Sequence, residues 1–242
     1  MLYKTKGIVL NHLKYGDTSL VTTIYTEIFG RKTFLVQGVY GRKGKFRPTF
    51  FQPLTLLNLD VYINPKRDLQ RIKEVAIECP FHSIPFTTIK SAVSLFVAEV
   101  LYKTLKEEEA NPAMFDFLFH AIQLFDIKDS GSANFHLVFL LNLTKHLGFY
   151  PQDNYSEANC IFDPANGYFN AFLASSGDGK QKYISALFHQ LMNVTFDGME
   201  QPAMNHQTRN ALLNLIIEYY NHHHGGLSTL NSLPVLQSIF GD

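Results

Sequence analysis

The chain has 242 residues; 46% are hydrophobic, 17% are charged, and 21 Lys/Arg balance 21 Asp/Glu. That is enough chain to bury a core in one large domain or two modest ones, and too apolar a composition for wholesale disorder. A net charge of zero, if the charges were evenly mixed, would argue against a phosphate-binding protein, which needs cations in excess.

In chain order, the first eighty residues read as strands. Residues 7–10, 20–28, 33–36, 54–63 and 69–78 are rich in β-branched and alternating apolar residues, with Leu57, Leu59, Val61 and Ile63 on one face. Turn chemistry at Gly16-Asp17, Gly30, residues 41–44 and Asn64-Pro65 separates them. Five short strands without intervening helix predict a closed barrel, and the five-stranded OB fold suits that size. The period changes after Cys79-Pro80. A helix is expected from Thr87 or Thr88 with a core face of Val93, Phe96, Val97, Val100 and Leu101, running to the acidic residues Glu107, Glu108 and Glu109. Asn111-Pro112 predicts the start of a second helix. Asp126 and Asp129 follow it and read as solvated termini. A third helix is expected from Gly131-Ser132 to Leu147, apolar nearly all round and therefore central, stopped by Gly148. Residues 149–179 are irregular, with a hairpin at Ile161-Phe162 and Tyr168-Phe169. Helices resume near residues 181–193, 207–221 and 229–240. The fold class is α+β: a barrel domain at 1–80, and a helical bundle at 81–242 with a small hairpin insertion at about 149–179.

The zero net charge is an average. Residues 1–73 hold thirteen Lys/Arg and four acids, a net of +9, and residues 74–242 carry the opposite −9. Such asymmetry points to polyanion binding by the basic part. Its centre is Arg42, Lys43, Lys45 and Arg47, with Gly41 and Gly44 to bend the backbone and Tyr40 and Phe46 interleaved. Cations hold phosphates and rings stack unpaired bases. Arg31 and Lys32 lie upstream, and Lys66 and Arg67 lie in a later turn. The alternative for this loop is a solvated basic turn, and Phe46 also suits the core. Neighbouring His222, His223 and His224 point in different directions on a helix and lack ligand spacing, so a frayed helix end is expected. Gly177-Asp178-Gly179-Lys180 lacks the P-loop's earlier Gly and following Ser/Thr. No metal site, cofactor or conventional catalytic site is expected. Cys79 and Cys160 form no framework and suit a reducing compartment. No apolar run reaches the length of a membrane span, so a cytoplasmic location is expected.

An ordered set of landmarks resembles the bacterial RecO family of DNA repair and recombination mediators. It comprises Gly7-Ile8-Val9-Leu10, then Tyr15-Gly16-Asp17-Thr18-Ser19-Leu20-Val21, where the family usually has Glu at the position of Asp17. Thr26-Glu27-Ile28-Phe29-Gly30-Arg31, Gln37-Gly38-Val39-Tyr40-Gly41-Arg42-Lys43 and Gln52-Pro53-Leu54 follow. Ala98-Glu99-Val100-Leu101, Asn111-Pro112-Ala113-Met114-Phe115 and Leu147-Gly148-Phe149-Tyr150-Pro151 extend it, with weaker similarity over 209–240.

The resemblance implies an OB domain, a helical domain and a zinc-finger-like insertion. It implies binding of single- and double-stranded DNA, strand annealing and recombinase loading at the nucleoid. The implied partners are RecR, the C-terminal tail of single-stranded DNA-binding protein, and RecF. The chain departs from the family in one place. Many members carry two C-x-x-C pairs in the insertion, whereas here only Cys160 is present. The hairpin is therefore expected to hold without metal, through Phe162, Tyr168 and Phe169. The competing function is an OB-fold adaptor for a protein partner, without direct DNA binding.

Overall fold

The computed structural model describes residues 1–41, 45–171 and 179–239. The chain packs as two compact units: Met1–Thr87 with Ser94–Asp126, and Thr88–Val93 with Ile127–Asp242.

The first unit is built on a closed barrel of strand order β1-β2-β3-β5-β4. Its strands are β1 (Leu2–Tyr15), β2 (Ser19–Thr26), β3 (Gly30–Val36), β4 (Leu56–Tyr62) and β5 (Leu69–Ile77). Strand β1 is much longer than the sequence suggests. A register shift between Val9 and Asn11 breaks its alternation; the strand pairs with β4 from Leu2 to Ile8 and with β2 on both sides of the shift, from Gly7 to Tyr15. The parallel pairing of β3 with β5 completes the closure. Inward residues alternate as expected: Leu57, Leu59 and Val61 join Val9, Leu20, Ile24, Phe34 and Val36 in one core.

The greater parts of two helices, Ser94 onward in the first and up to Asp126 in the second, complete this unit. Helix α1 (Thr88–Thr104) has the predicted apolar face wholly buried, but it stops before the acidic run. Leu105 is already extended, and residues 105–110 form a strap. Helix α2 (Pro112–Ile127) starts as the sequence predicts, with the Asn111 side chain accepting from the Met114 N–H at 3.0 Å. Asp126, expected in solvent, is buried in the last turn of α2, where it accepts the backbone N–H groups of His82, Ser83 and Ile84.

The second unit packs around helix α3 (Phe135–Leu147), whose residues from Phe135 to Leu141 are all buried. It begins later than predicted. Gly131 adopts a φ of +75° with no room for a side chain beside Met199 and Glu200, and the chain turns there before Asn134. Gly148 closes the helix in the left-handed conformation, as expected of a C-terminal stop. The hairpin β6 (Ile161–Asp163) and β7 (Tyr168–Asn170) and helices α4 (Gly179–Met192), α5 (His206–His223) and α6 (Leu233–Ile239) belong to this unit, with α4 and α5 packed on α3 and β6 on α4. The expected start of the last helix at 229 is four residues early, because residues 229–230 are irregular and residues 231–232 form a bend.

Candidate nucleic-acid interface

Side chains alternate across a strand, so residues beside the inward set point outward. The pairings align one outward row around the barrel: Leu13, Val21, Leu35, Arg71, Tyr62 and Leu2. Leu13 is 68% exposed and Tyr62 47%, which is unusual for large apolar side chains in a barrel with a full core. The next row runs from Asn11 through Thr23 and Thr33 to Leu69, which is also exposed. One row further on, Tyr25 is buried and its ring stacks on Phe115 of α2 at 6.4 Å. Burial and the nearby Glu107 push the Tyr25 hydroxyl up to about 12. Helix α2 therefore covers one side of the barrel, and in the other two rows Leu2, Asn11, Leu13, Tyr62, Leu69 and Arg71 remain exposed.

The predicted site residues divide into three groups. Arg31 and Lys32 are engaged by the acidic strap and the end of α1. The Arg31 guanidinium donates to the carbonyls of Tyr102 and Leu105 at 2.7 and 2.8 Å and lies 4.5 Å from the Tyr102 ring. This is a cation on the negative end of a helix dipole. Lys32 donates to Glu108 at 2.8 Å. The fit requires Gly30: at its φ of +60°, an added Cβ would lie 2.2 Å from the Glu109 carbonyl oxygen.

The second group stands in solvent. Lys45, Arg47, Lys66, Arg67 and the ring of Tyr40 are exposed. Lys45 donates to the Lys73 carbonyl of β5. Tyr40 donates its N–H to Thr18 at 3.0 Å, and Lys14 stands 5.8 Å from its ring. Arg42 and Lys43 lie outside the described residues. The third group is Phe46 alone. It is 9% exposed and sits in the barrel core, so its ring has no free face for a base.

Several residues of the open face were not singled out from the sequence. Lys14 and Tyr15 sit at the β1–β2 turn, Arg71 and Lys73 on β5, and Tyr62 and Leu69 at the β4–β5 turn. One signal was available for Tyr62: it lies between Val61 and Ile63, which share the inward parity, so it has to face outward. Lys6 is basic too, but it pairs with Glu78 at 2.9 Å away from this face. The Glu78 hydrogen bond raises the Lys6 ammonium, and Lys6 in turn lowers the Glu78 carboxyl.

The insertion in the second unit does not fit a zinc site. It offers Cys160, half-buried, and no group of three or more His, Cys, Asp or Glu converges among the described residues. Instead Phe162 stacks on Phe188 at 4.0 Å and meets Phe169 and Tyr219 edge-on. Asn154 brackets Phe169, accepting from its N–H and donating to its carbonyl at 2.7 and 2.9 Å. Of the three residues expected to hold the hairpin, Phe162 and Phe169 are buried, whereas Tyr168 is 36% exposed at its edge. The histidine run forms the end of α5 before Gly225-Gly226: His223 completes the helix, lies parallel to the Phe149 ring, and contacts the Pro164 carbonyl at 3.1 Å. Among the described residues no helix is long and apolar enough to cross a membrane.

Comparison with known proteins covers nearly the whole chain. Family models described as "Recombination protein O N terminal" and "Recombination protein O C terminal" match residues 1–81 and 86–234. Curated relatives named "DNA repair protein RecO" include those of Bacteroides fragilis, 39% identical, and Flavobacterium psychrophilum, 37% identical. That of Phocaeicola vulgatus is 36% identical. Each alignment covers 99% of this chain and 100% of the relative.

Proposed function

The chain belongs to the RecO family of DNA repair proteins, and on that premise we propose that residues 1–80 bind DNA through the open barrel face. The observation that carries this reading is the coincidence of two features on the barrel surface, exposed rings and exposed cations. Exposed Tyr40 has Lys14 5.8 Å from its ring, exposed Tyr62 pairs with Arg71 across β4 and β5, and Tyr15, Lys45, Arg47 and Arg67 are exposed as well. Cations hold the backbone of either single- or double-stranded DNA without reading sequence, and rings favour strands whose bases are unpaired.

Strand annealing follows from such a surface, because cations that neutralise two strands at once lower their mutual repulsion. Loading of a recombinase onto coated single strands is the biological step this chemistry serves. Its partners in this reading are RecR, the tail of the single-stranded DNA-binding protein and RecF, and it acts at the nucleoid. No catalytic residue is invoked, and the chain works as a binding mediator.

The test is alanine substitution of Arg42, Lys43, Lys45 and Arg47 together, read by oligonucleotide anisotropy against salt. Four lost phosphate contacts reduce the log–log slope on single strands by roughly 2.8, at about 0.7 per contact. An unchanged slope and affinity would remove this loop from the interface. The adaptor reading is favoured by one feature, the exposed aliphatic residues Leu2 and Leu13. A salt-insensitive complex with a protein, without DNA affinity, would decide for it.

A further inference from the structure

We infer that the groove beside the β4–β5 turn is a slot for one unpaired base of a bound DNA strand, an inference that rests on the DNA-binding reading of the barrel. The groove has a volume of about 440 Å³ and is lined by Tyr62, Asn64, Arg67, Leu69, Gln70 and Arg71. That lies within the roughly 300–1,000 Å³ range of small-ligand sites.

Its floor is apolar and its edge is cationic. Tyr62 and Leu69 face outward and are each nearly half exposed, although the neighbouring Val61 is wholly buried. The register places Arg71 directly across from Tyr62. Arg67 stands in the turn itself, three residues from the buried Gln70. An aromatic face with guanidinium groups beside it matches a nucleotide: the ring takes the base and the cations take the flanking phosphates. No acidic side chain lines the groove.

The rim is preorganised. The Gln70 amide donates to the Asn64 carbonyl at 3.1 Å and accepts the Asn64 N–H at 2.8 Å. The Asn64 side chain accepts from the Lys66 N–H at 3.0 Å, and its carbonyl accepts from the Arg67 N–H at 3.0 Å. The turn is therefore closed on itself by a buried amide before any ligand arrives, which reduces the ordering cost of binding. A duplex keeps its bases stacked and presents only phosphates here, so Arg67 and Arg71 would serve both forms of DNA and Tyr62 only the unpaired one. Tyr62 thus becomes a determinant of strand state rather than of overall affinity.

The chain contains no tryptophan, so Tyr62→Trp introduces a single indole at the slot. Titration of that variant with oligothymidylate is expected to quench its fluorescence in step with anisotropy, while saturation with a blunt duplex leaves it unchanged. Tyr62→Ala is expected to weaken oligothymidylate binding roughly tenfold, in keeping with the loss of one base–aromatic stack, with duplex affinity held. Tyr62→Phe keeps both. Unchanged indole emission at saturating oligothymidylate would overturn the slot and leave the DNA-binding face standing, as would equal weakening of strand and duplex by Tyr62→Ala. Absence of binding to either nucleic acid by the unaltered protein would remove the barrel reading itself, and the slot with it.

Discussion

Asp126 is a carboxylate at the C-terminal end of a helix, where the dipole disfavours it. It is nonetheless buried, because three backbone N–H groups at residues 82–84 converge on it at 2.7–2.9 Å. Burial pushes its carboxyl up, but the N–H groups of His82, Ile84 and Ser83 and the Ser83 hydroxyl outweigh this and hold it below the ordinary value. A depressed folded-state pKa contributes stability that is fully present above the unfolded value of about 3.9 and is lost as pH falls through the folded one. Asp126→Ala leaves the three donors unpaired and is expected to cost about 3 kcal/mol in urea unfolding at neutral pH. The gap to the unaltered protein should narrow at about pH 3; an undiminished gap there would count against this account. The same locality explains which residues the sequence revealed. Inward parity was readable from Leu57, Leu59 and Val61, since each depends only on its neighbours. The engagement of Arg31 was not, because its acceptors at Tyr102 and Leu105 lie more than seventy residues away. Glu108→Gln removes the carboxylate that holds Lys32. It should add about one phosphate contact to the salt slope of single-strand binding, close to 0.7. A slope left unchanged would place Lys32 outside the reach of DNA.

At the scale of elements, the boundaries that propensity sets were legible and those that packing sets were not. Asn111-Pro112 acts through the Asn111 side chain and the proline ring and Gly148 through its backbone, all local, and both mark helix ends as read. Helix α1 ends at Thr104 rather than at Glu109 because the strap that follows hydrogen-bonds to β3, with the Arg31 N–H donating to the Glu107 carbonyl at 3.0 Å. The insertion shows the same dependence on packing. Its hairpin strands are only three residues each, too short to stand alone, and Phe162 anchors them among Phe169, Phe188 and Tyr219. Phe162→Ala is expected to destabilise this unit by about 3–5 kcal/mol, the range for a large aromatic removed from a core. Prolonged chelation should leave the melting temperature unchanged, since no metal is invoked in holding the hairpin. One zinc per chain by elemental analysis, or a fall in melting temperature with chelator, would reverse this assignment.

For the whole molecule, the decisive property is the separation of charge along the chain. Net charge governs how a protein behaves as a point, but a polyanion meets one face at a range of about 10 Å, the Debye length at 0.1 M salt. The +9 of residues 1–73 is also not all available on the open face, since Lys6 and Lys32 are paired with Glu78 and Glu108, and Arg31 with helix carbonyls. What remains clusters around the β1–β2 turn, the loop near 45–47 and the β4–β5 turn. This clustering has a consequence at the isoelectric point. At pH 7.2 the chain carries no net charge, so evenly mixed charges would give little retention on immobilised heparin. A basic barrel face predicts retention at low salt, with elution by moderate salt. The variant with Arg42, Lys43, Lys45 and Arg47 replaced by alanine should elute markedly earlier. Glu107→Gln, Glu108→Gln and Glu109→Gln together should elute later, because each removes a negative charge from the strap across β3. Flow-through of the unaltered protein at pH 7.2 would mean that the basic residues do not act as one surface, whatever their number.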